Sequence, residues 1–179
     1  MYKDVIISGF GGQGIIFAGK LLAHAGLKEK REVIFYPSYG AEMRGGTANC
    51  TVIISDSMIP SPIISQPSSA IIMSYPALEK FISRIREGGQ VVINKSLVSV
   101  RPRRNDLTII EVPANQIAEK LGSSKTANMV ALGAWTYISK AVKVESLILS
   151  LKEVLSKIDL LKINEDSLRE GWKFASNFC

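Results

Sequence analysis

At 179 residues, 46% apolar and 21% charged, the chain is long enough for one domain with its own core and too apolar to be disordered. No apolar run reaches the ~18 residues of a membrane-spanning helix, and two cysteines, Cys50 and Cys179, are too few for a thiolate-held iron–sulfur centre or a structural zinc. A net charge of +6 suits an acidic partner, a nucleic acid or a phosphorylated ligand, but its clusters at 28–31 and 101–104 lack interleaved aromatics, so they read as solvated loops and no nucleic acid is expected.

Residues 1–4 lead straight into a strand without a signal-peptide layout, so a cytoplasmic location is expected. Val5–Ser8 reads as a buried strand. Gly9, Gly11 and Gly14 follow on G-x-G-x-x-G spacing, with Gly12 widening the glycine run. A helix is predicted from Gly14 to about Ala25, burying Ala18, Leu21, Leu22 and Ala25, with Gly26 as its stop. Val33–Tyr36 is the next strand, which makes a β-loop-α-β unit with a right-handed crossover. Pro37, Gly40, Gly45 and Gly46 keep the following stretch irregular, and it carries Tyr39, Glu42 and Arg44. Thr47–Ser55 alternates as a strand does. The connection before it is too short for a parallel crossover, so an antiparallel or edge placement is expected.

Ser69–Ser74 is a short buried strand. Pro76 suits the first position of a helix whose stripe is Leu78, Phe81, Ile82 and Ile85, stopped by Gly88 and Gly89. Strands are predicted at Gln90–Asn94 and Leu107–Val112. Pro113 opens a short helix with Ile117, Ala118 and Leu121 inward, and 123–126 is a loop. The helix predicted over 128–142 is rich in small residues, among them Ala131, Gly133 and Ala134, which permit close approach by a neighbouring helix or a partner chain. Leu147, Leu151, Val154 and Ile158 mark another helix. Asn164–Ser167 looks like the capped start of the last one, marked by Leu168, Trp172 and Ala175. Strands interleave with helices early and helices dominate late. The expected fold is a single α/β domain over 1–179, layered, with a mainly parallel sheet, at least one antiparallel strand and a helical C-terminal third.

The glycine turn has three readings: a dinucleotide site, a site for another phosphate or carboxylate at the first helix amides, or a purely structural turn. A dinucleotide site wants an acid at the end of the second strand, where Tyr36, Pro37 and Ser38 stand instead. Gln13 either faces a ligand or braces the turn. Arg44 either delivers a guanidinium to an anion or pairs with Glu42. The loops at Gly11 and Glu42 follow the first two strands, so both should lie on one edge of the sheet. His24, mid-helix, reads as a partly exposed helix residue. Asn94 either reaches a ligand or caps a turn, and Asn128 caps its helix. No nucleophile–base pair and no metal-spaced set is visible, which suits a subunit supplying one wall of a composite site.

Residues 9–15, residues 37–46, and Asn128 followed by Leu132, Gly133 and Ala134 resemble the gamma subunit of 2-oxoacid:ferredoxin oxidoreductases over the whole chain. The form of 39–46 is closest to the 2-oxoglutarate branch. The resemblance implies a complex that oxidatively decarboxylates a 2-oxoacid, with coenzyme A accepting the acyl group and ferredoxin the electrons. It places thiamine diphosphate, Mg2+ and iron–sulfur clusters in partner subunits (alpha, beta and any delta), with no cofactor and no catalytic residue in this chain alone. It makes Gly9, Gly11, Gly12, Gln13, Gly14, Tyr39, Gly40, Glu42, Arg44, Gly45, Gly46 and Asn128 the loops that meet coenzyme A phosphates or partner chains. The isolated chain is expected to be inactive and able to pair with itself. The competing reading is a stand-alone nucleotide-binding dehydrogenase or regulatory module, against which the missing acid counts.

Overall fold

The computed structural model describes residues 1–38, 47–155 and 158–178. Among these, the strands β1 (Tyr2–Phe10), β2 (Glu32–Ser38), β3 (Thr47–Ser55), β4 (Ser69–Ile72), β5 (Gln90–Asn94) and β6 (Thr108–Val112) form one sheet in the order β2-β3-β1-β4-β5-β6. β1, β4, β5 and β6 are parallel neighbours. β3 runs antiparallel to both β1 and β2. The mixed α/β sheet expected from the sequence is therefore present.

β3 is antiparallel as expected, but it is internal and β2 is the edge. β1 and β2 point the same way without touching, because β3 fills the gap between them. The reason is burial: Cys50, Val52, Ile53 and Ile54 are all inaccessible, so β3 is apolar on both faces, whereas every described residue of β2 is at least partly exposed. The more apolar strand takes the inner place.

Alternating side chains feed two cores. Val5, Ile7, Val52, Ile71, Val92 and Ile110 pack with the helices α1 (Ile15–Lys28), α3 (Ala114–Lys120), α4 (Ala127–Ser139), α5 (Val144–Val154) and α6 (Leu161–Ser176). On the other face, Ile6, Ala70, Ile72, Val91 and Ile93 meet Ala77, Leu78 and Phe81 of α2 (Tyr75–Phe81). Tyr75 leads α2 and Pro76 follows it, and the chain tightens into a 3₁₀ turn at Ile82–Arg84.

Several helix ends differ from the expectation. Gly26 does not stop α1. It lies inside the helix, where a Cβ would press on Val33 Cγ2 at 2.8 Å. The stop comes from Lys30, left-handed at φ 59, with Arg31 N–H bonded to Gly26 O at 3.1 Å. α4 ends at Ser139 because Lys140 turns left-handed at φ 54, so Ala141 and Val142 lie beyond it. α5 ends at Val154, and Ile158 opens a separate 3₁₀ turn, Ile158–Leu160. α6 starts at Leu161, a turn before the predicted cap. Asn164 bonds back to Leu160 O at 2.7 Å, and the buried Ser167 Oγ bonds Thr126 Oγ1 at 2.7 Å, so both polar groups are spent inside the fold. The small residues of α4 meet α6: Gly133 lies against the main chain of Leu168 and Gly171 against that of Val130.

Candidate ligand-binding edge of the sheet

From β1 the chain moves to the β2 side, and from β4 onward it moves to the other side. The C-terminal ends of β1 and β4 therefore border the point where strand order reverses, which is where open α/β sheets hold ligands. The glycine turn stands there. Gly12 (φ 90) and Gly14 (φ 71) sit in the left-handed region that side chains disfavour. Gly9 is a close-approach glycine: a Cβ would lie 2.8 Å from Met73 Cβ and 2.9 Å from Ile15 Cδ1. Gln13 braces the turn. Its Oε1 accepts from Phe10 N–H at 2.7 Å, and its Nε2 donates to Met73 O at 3.3 Å, tying the turn to the end of β4.

Asn128 does not cap α4 from outside. It is the second residue of the helix and Thr126 holds the cap position. Its Nδ2 donates to Gly14 O at 2.9 Å, and its Oδ1 accepts from Met129 N–H at 2.9 Å. One buried amide thus joins the starts of α1 and α4. Neither helix has a side-chain cap or an acid in its first turn.

A cleft of about 190 Å³ opens beside this joint, walled by Gly12, Gln13, Met73, Asn115, Lys125 and Asn128 among others. None of its lining residues is acidic. Asn94 caps the turn after β5, since Ser96 N–H reaches its Oδ1 at 3.2 Å, and its Nδ2 donates to Asn115 Oδ1 at 2.8 Å. Asn115, Ser124 and Lys125 were not singled out from the sequence. Asn115 is the second residue of α3, and Ser124 and Lys125 belong to a 3₁₀ turn, Ser124–Thr126, where the sequence suggests a loop, so only the fold brings them to the glycine turn.

Tyr39, Gly40, Glu42, Arg44, Gly45 and Gly46 lie outside the described residues. The roots of that loop do not. Ser38 pairs with Asn49 and Thr47 pairs with Phe10, so both roots stand on the glycine-turn edge, as expected from the strand directions. At the end of β2, Tyr36 is half exposed and no acid stands at 36–38. His24 is half-buried in the middle of α1. Burial pushes the Cys50 thiol up to about 12, and its Sγ contacts Ile15 O at 3.6 Å beneath α1. Among the described residues, no group of three or more His, Cys, Asp or Glu gathers to hold a metal, and no helix is long and apolar enough to cross a membrane.

The 2-oxoglutarate synthase subunit KorC of Methanocaldococcus jannaschii is 39% identical over 150 residues, which are 82% of this chain and 80% of KorC. The chain spans only 27% and 31% of two ketoisovalerate oxidoreductase VorA subunits from Methanothermobacter. The gamma subunit of a keto/oxoacid ferredoxin oxidoreductase from Geobacter sulfurreducens superposes with a TM-score of 0.87 at 26% identity, covering 98% of this chain and 99% of that one. The 2-oxoglutarate:ferredoxin oxidoreductase from Magnetococcus marinus, solved with 2-oxoglutarate, coenzyme A and succinyl-CoA, superposes at 0.88 and 23% identity over 98% of this chain and 31% of its own, a likeness of fold. The profile of pyruvate ferredoxin/flavodoxin oxidoreductases matches residues 4–174. The resemblance carried by the glycine turn and the 37–46 motif is borne out, and the chain belongs to the pyruvate ferredoxin/flavodoxin oxidoreductase family.

Proposed function

We propose that this chain is the gamma subunit of a cytoplasmic 2-oxoacid:ferredoxin oxidoreductase and that 2-oxoglutarate is its substrate. Likeness over matched length supports that branch: KorC is 39% identical over four-fifths of both chains, whereas the common gamma subunits of pyruvate/ketoisovalerate oxidoreductases from Thermococcus, of similar length, are 27% and 28% identical. In this reading the complex takes a 2-oxoacid and coenzyme A, releases carbon dioxide and an acyl-CoA, and passes the electrons to ferredoxin.

Thiamine diphosphate with Mg2+ and iron–sulfur clusters would supply the decarboxylation and electron-transfer chemistry from the alpha and beta subunits and any delta subunit. This chain does not fit an iron–sulfur cluster: Cys50 is buried with its thiol held protonated, and the sequence has one other cysteine. Its part is to bind and orient. One observation carries this part, the rooting of the glycine turn and of the 39–46 loop on the same edge of the sheet. There the turn amides and Arg44 meet the phosphates of coenzyme A or the partner chain that shares the site.

The test is Arg44→Ala in the assembled complex. Loss of a charge-assisted contact should raise the KM for coenzyme A about tenfold. Unchanged coenzyme A binding and turnover would contradict the ligand role. A titration of the isolated chain with reduced nicotinamide cofactors addresses the dehydrogenase alternative, and no tight binding is expected.

A further inference from the structure

The two basic runs of the sequence meet different fates in the fold. The run at 28–31 is neutralised within the chain: Lys28 pairs with Glu153, Arg31 pairs with Asp56, and Lys30 supplies the left-handed stop of α1. The run at 101–104 is more than a solvated loop. Arg104 turns inward. Its Nε and Nη2 donate to the two oxygens of Asp106 at 2.7 and 2.5 Å. Its Nη1 donates to Ile82 O and its Nη2 to Ile85 O, both at 3.0 Å. The planar fork of one guanidinium thus clamps the loop onto the 3₁₀ turn after α2. The clamp brings Arg84 and Arg86 to the same corner as Arg101 and Arg103. Gly88 N–H also bonds Asp106 O at 3.0 Å, just before β5 and β6 begin. The corner therefore lies at the starts of these strands, on the edge of the sheet opposite the glycine turn.

Three of the cations at this corner are open. Arg101 takes Glu111 at 3.2 Å and Asp106 is held by Arg104. Arg84, Arg86 and Arg103 are exposed and form no ion pair among the described residues. Glu87, close to Arg104, is the one acid of the two segments left to balance them. Apolar surface is interleaved with this charge. Val100 is 50% exposed beside Arg101, and Ile82, Leu107 and Ile109 are half-buried at the rim of the smaller core, next to the outermost strand β6.

We propose that this corner docks a carboxylate-rich segment of a partner subunit, with Arg84, Arg86 and Arg103 meeting its acids around an aliphatic centre at Val100 and Ile82. The gamma-subunit reading enters only in supplying the partner. The sign of the partner follows from the excess of open guanidinium groups, which bind carboxylates through paired hydrogen bonds and so orient as well as attract. Its class follows from the aliphatic side chains. Arginine around an apolar centre is the composition of a protein interface, whereas a phosphate backbone has no use for Val100. Phe81, the ring beneath Arg84 at 5.5 Å, is buried and offers no face on which a base could stack.

Two measurements test it. The first is hydrogen exchange in the full chain, alone and in the assembled complex. The amides of Arg101, Arg103 and Arg104 should exchange about tenfold more slowly in the complex, as expected for a loop that becomes covered. The second is a titration of the labelled chain with its partner subunits at low and high salt. Arg103→Glu should weaken association about tenfold and flatten its salt dependence. The Arg103 side chain forms no hydrogen bond or ion pair among the described residues, so the variant keeps the Arg104 clamp. Arg103→Lys should recover part of the loss. Lys152→Glu, the same change of charge at an exposed lysine on α5, should match the wild type. Unchanged exchange at the three amides, or equal weakening by Lys152→Glu, would overturn the docking corner. So would tight binding of a single-stranded oligonucleotide that Arg103→Glu abolishes, which would make this a nucleic-acid surface. If the complex reduces ferredoxin with 2-oxoglutarate while the corner exchanges as in the chain alone, the docking fails and the gamma-subunit reading stands. If the complex assembles with the corner protected but reduces ferredoxin with no 2-oxoacid, that reading fails and the docking stands. If no complex assembles, both fail.

Discussion

Gly133 on α4 and Gly171 on α6 are buried where two helices touch main chain to main chain, while Gly12 stands exposed at the end of β1 with nothing within 4 Å of where a Cβ would go. The first pair is required by packing: any side chain would push backbone against backbone. The second is required by conformation, since φ 90 suits a residue without a Cβ, and the space beside it is open. Gly9 stands between the two kinds, tight against Met73 and Ile15 yet at the root of the turn. Glycine therefore has opposite jobs in one chain. In the helix pair it closes a gap, and at the sheet edge it keeps one open.

The largest effect should come from the closed gap. Gly171→Ala should cost about 3 kcal/mol or prevent folding, because the neighbour in its way is the Val130 carbonyl and not a flexible side chain. Urea denaturation measures it, and a loss under about 1 kcal/mol would show that the helices slide apart cheaply. Gly9→Ala should cost roughly 1–3 kcal/mol. It displaces Gln13 Oε1, so the Phe10 amide should also lose protection from hydrogen exchange.

Asn128→Ala should cost about 1–2 kcal/mol, since it strips a partner from both Gly14 O and Met129 N–H. It should also free the start of α1 from α4, visible as faster exchange at the glycine turn. A smaller effect follows from Cys50. Its folded pKa lies near 12, above the ordinary 9.0, so the unfolded chain gives up this proton first. The contribution is intact below pH 9 and is lost as pH rises from about 9 towards 12, by at most roughly 1.4 kcal/mol per pH unit. Stability measured at pH 8 and 10.5 in wild type and Cys50→Ala tests this: the variant should show the shallower decline. Gly12→Ala should cost least, about 1 kcal/mol from the left-handed φ alone. If it instead unfolds the chain, the open space beside Gly12 is filled in solution and the contrast with Gly171 collapses.

Much of this was legible in the sequence. Thr47–Ser55 and Gln90–Asn94 were read to the residue, because alternation or continuous apolar character ends abruptly at polar or glycine neighbours. The place of β3 inside the sheet was not legible. Local pattern shows that a strand exists, and pairing is decided by competition among strands for burial. The start of α6 was misread because Asn164 and Ser167 look like cap residues, and their hydrogen bonds go to Leu160 and Thr126 instead. At the site, the glycine spacing announced the turn and the strand directions announced its edge. The Asn115–Lys125 corner stayed hidden, since its members are ordinary loop and helix-end residues until β6, α3 and α4 bring them to Gly12.

The central claim is that this edge is one wall of a composite site for coenzyme A. The most direct measurement is the structure of the assembled complex with coenzyme A bound. The account predicts a coenzyme A phosphate oxygen within about 3.2 Å of a donor on the glycine turn, the 39–46 loop or Lys125. Coenzyme A bound wholly within partner subunits, with this edge of the sheet facing solvent, would contradict it.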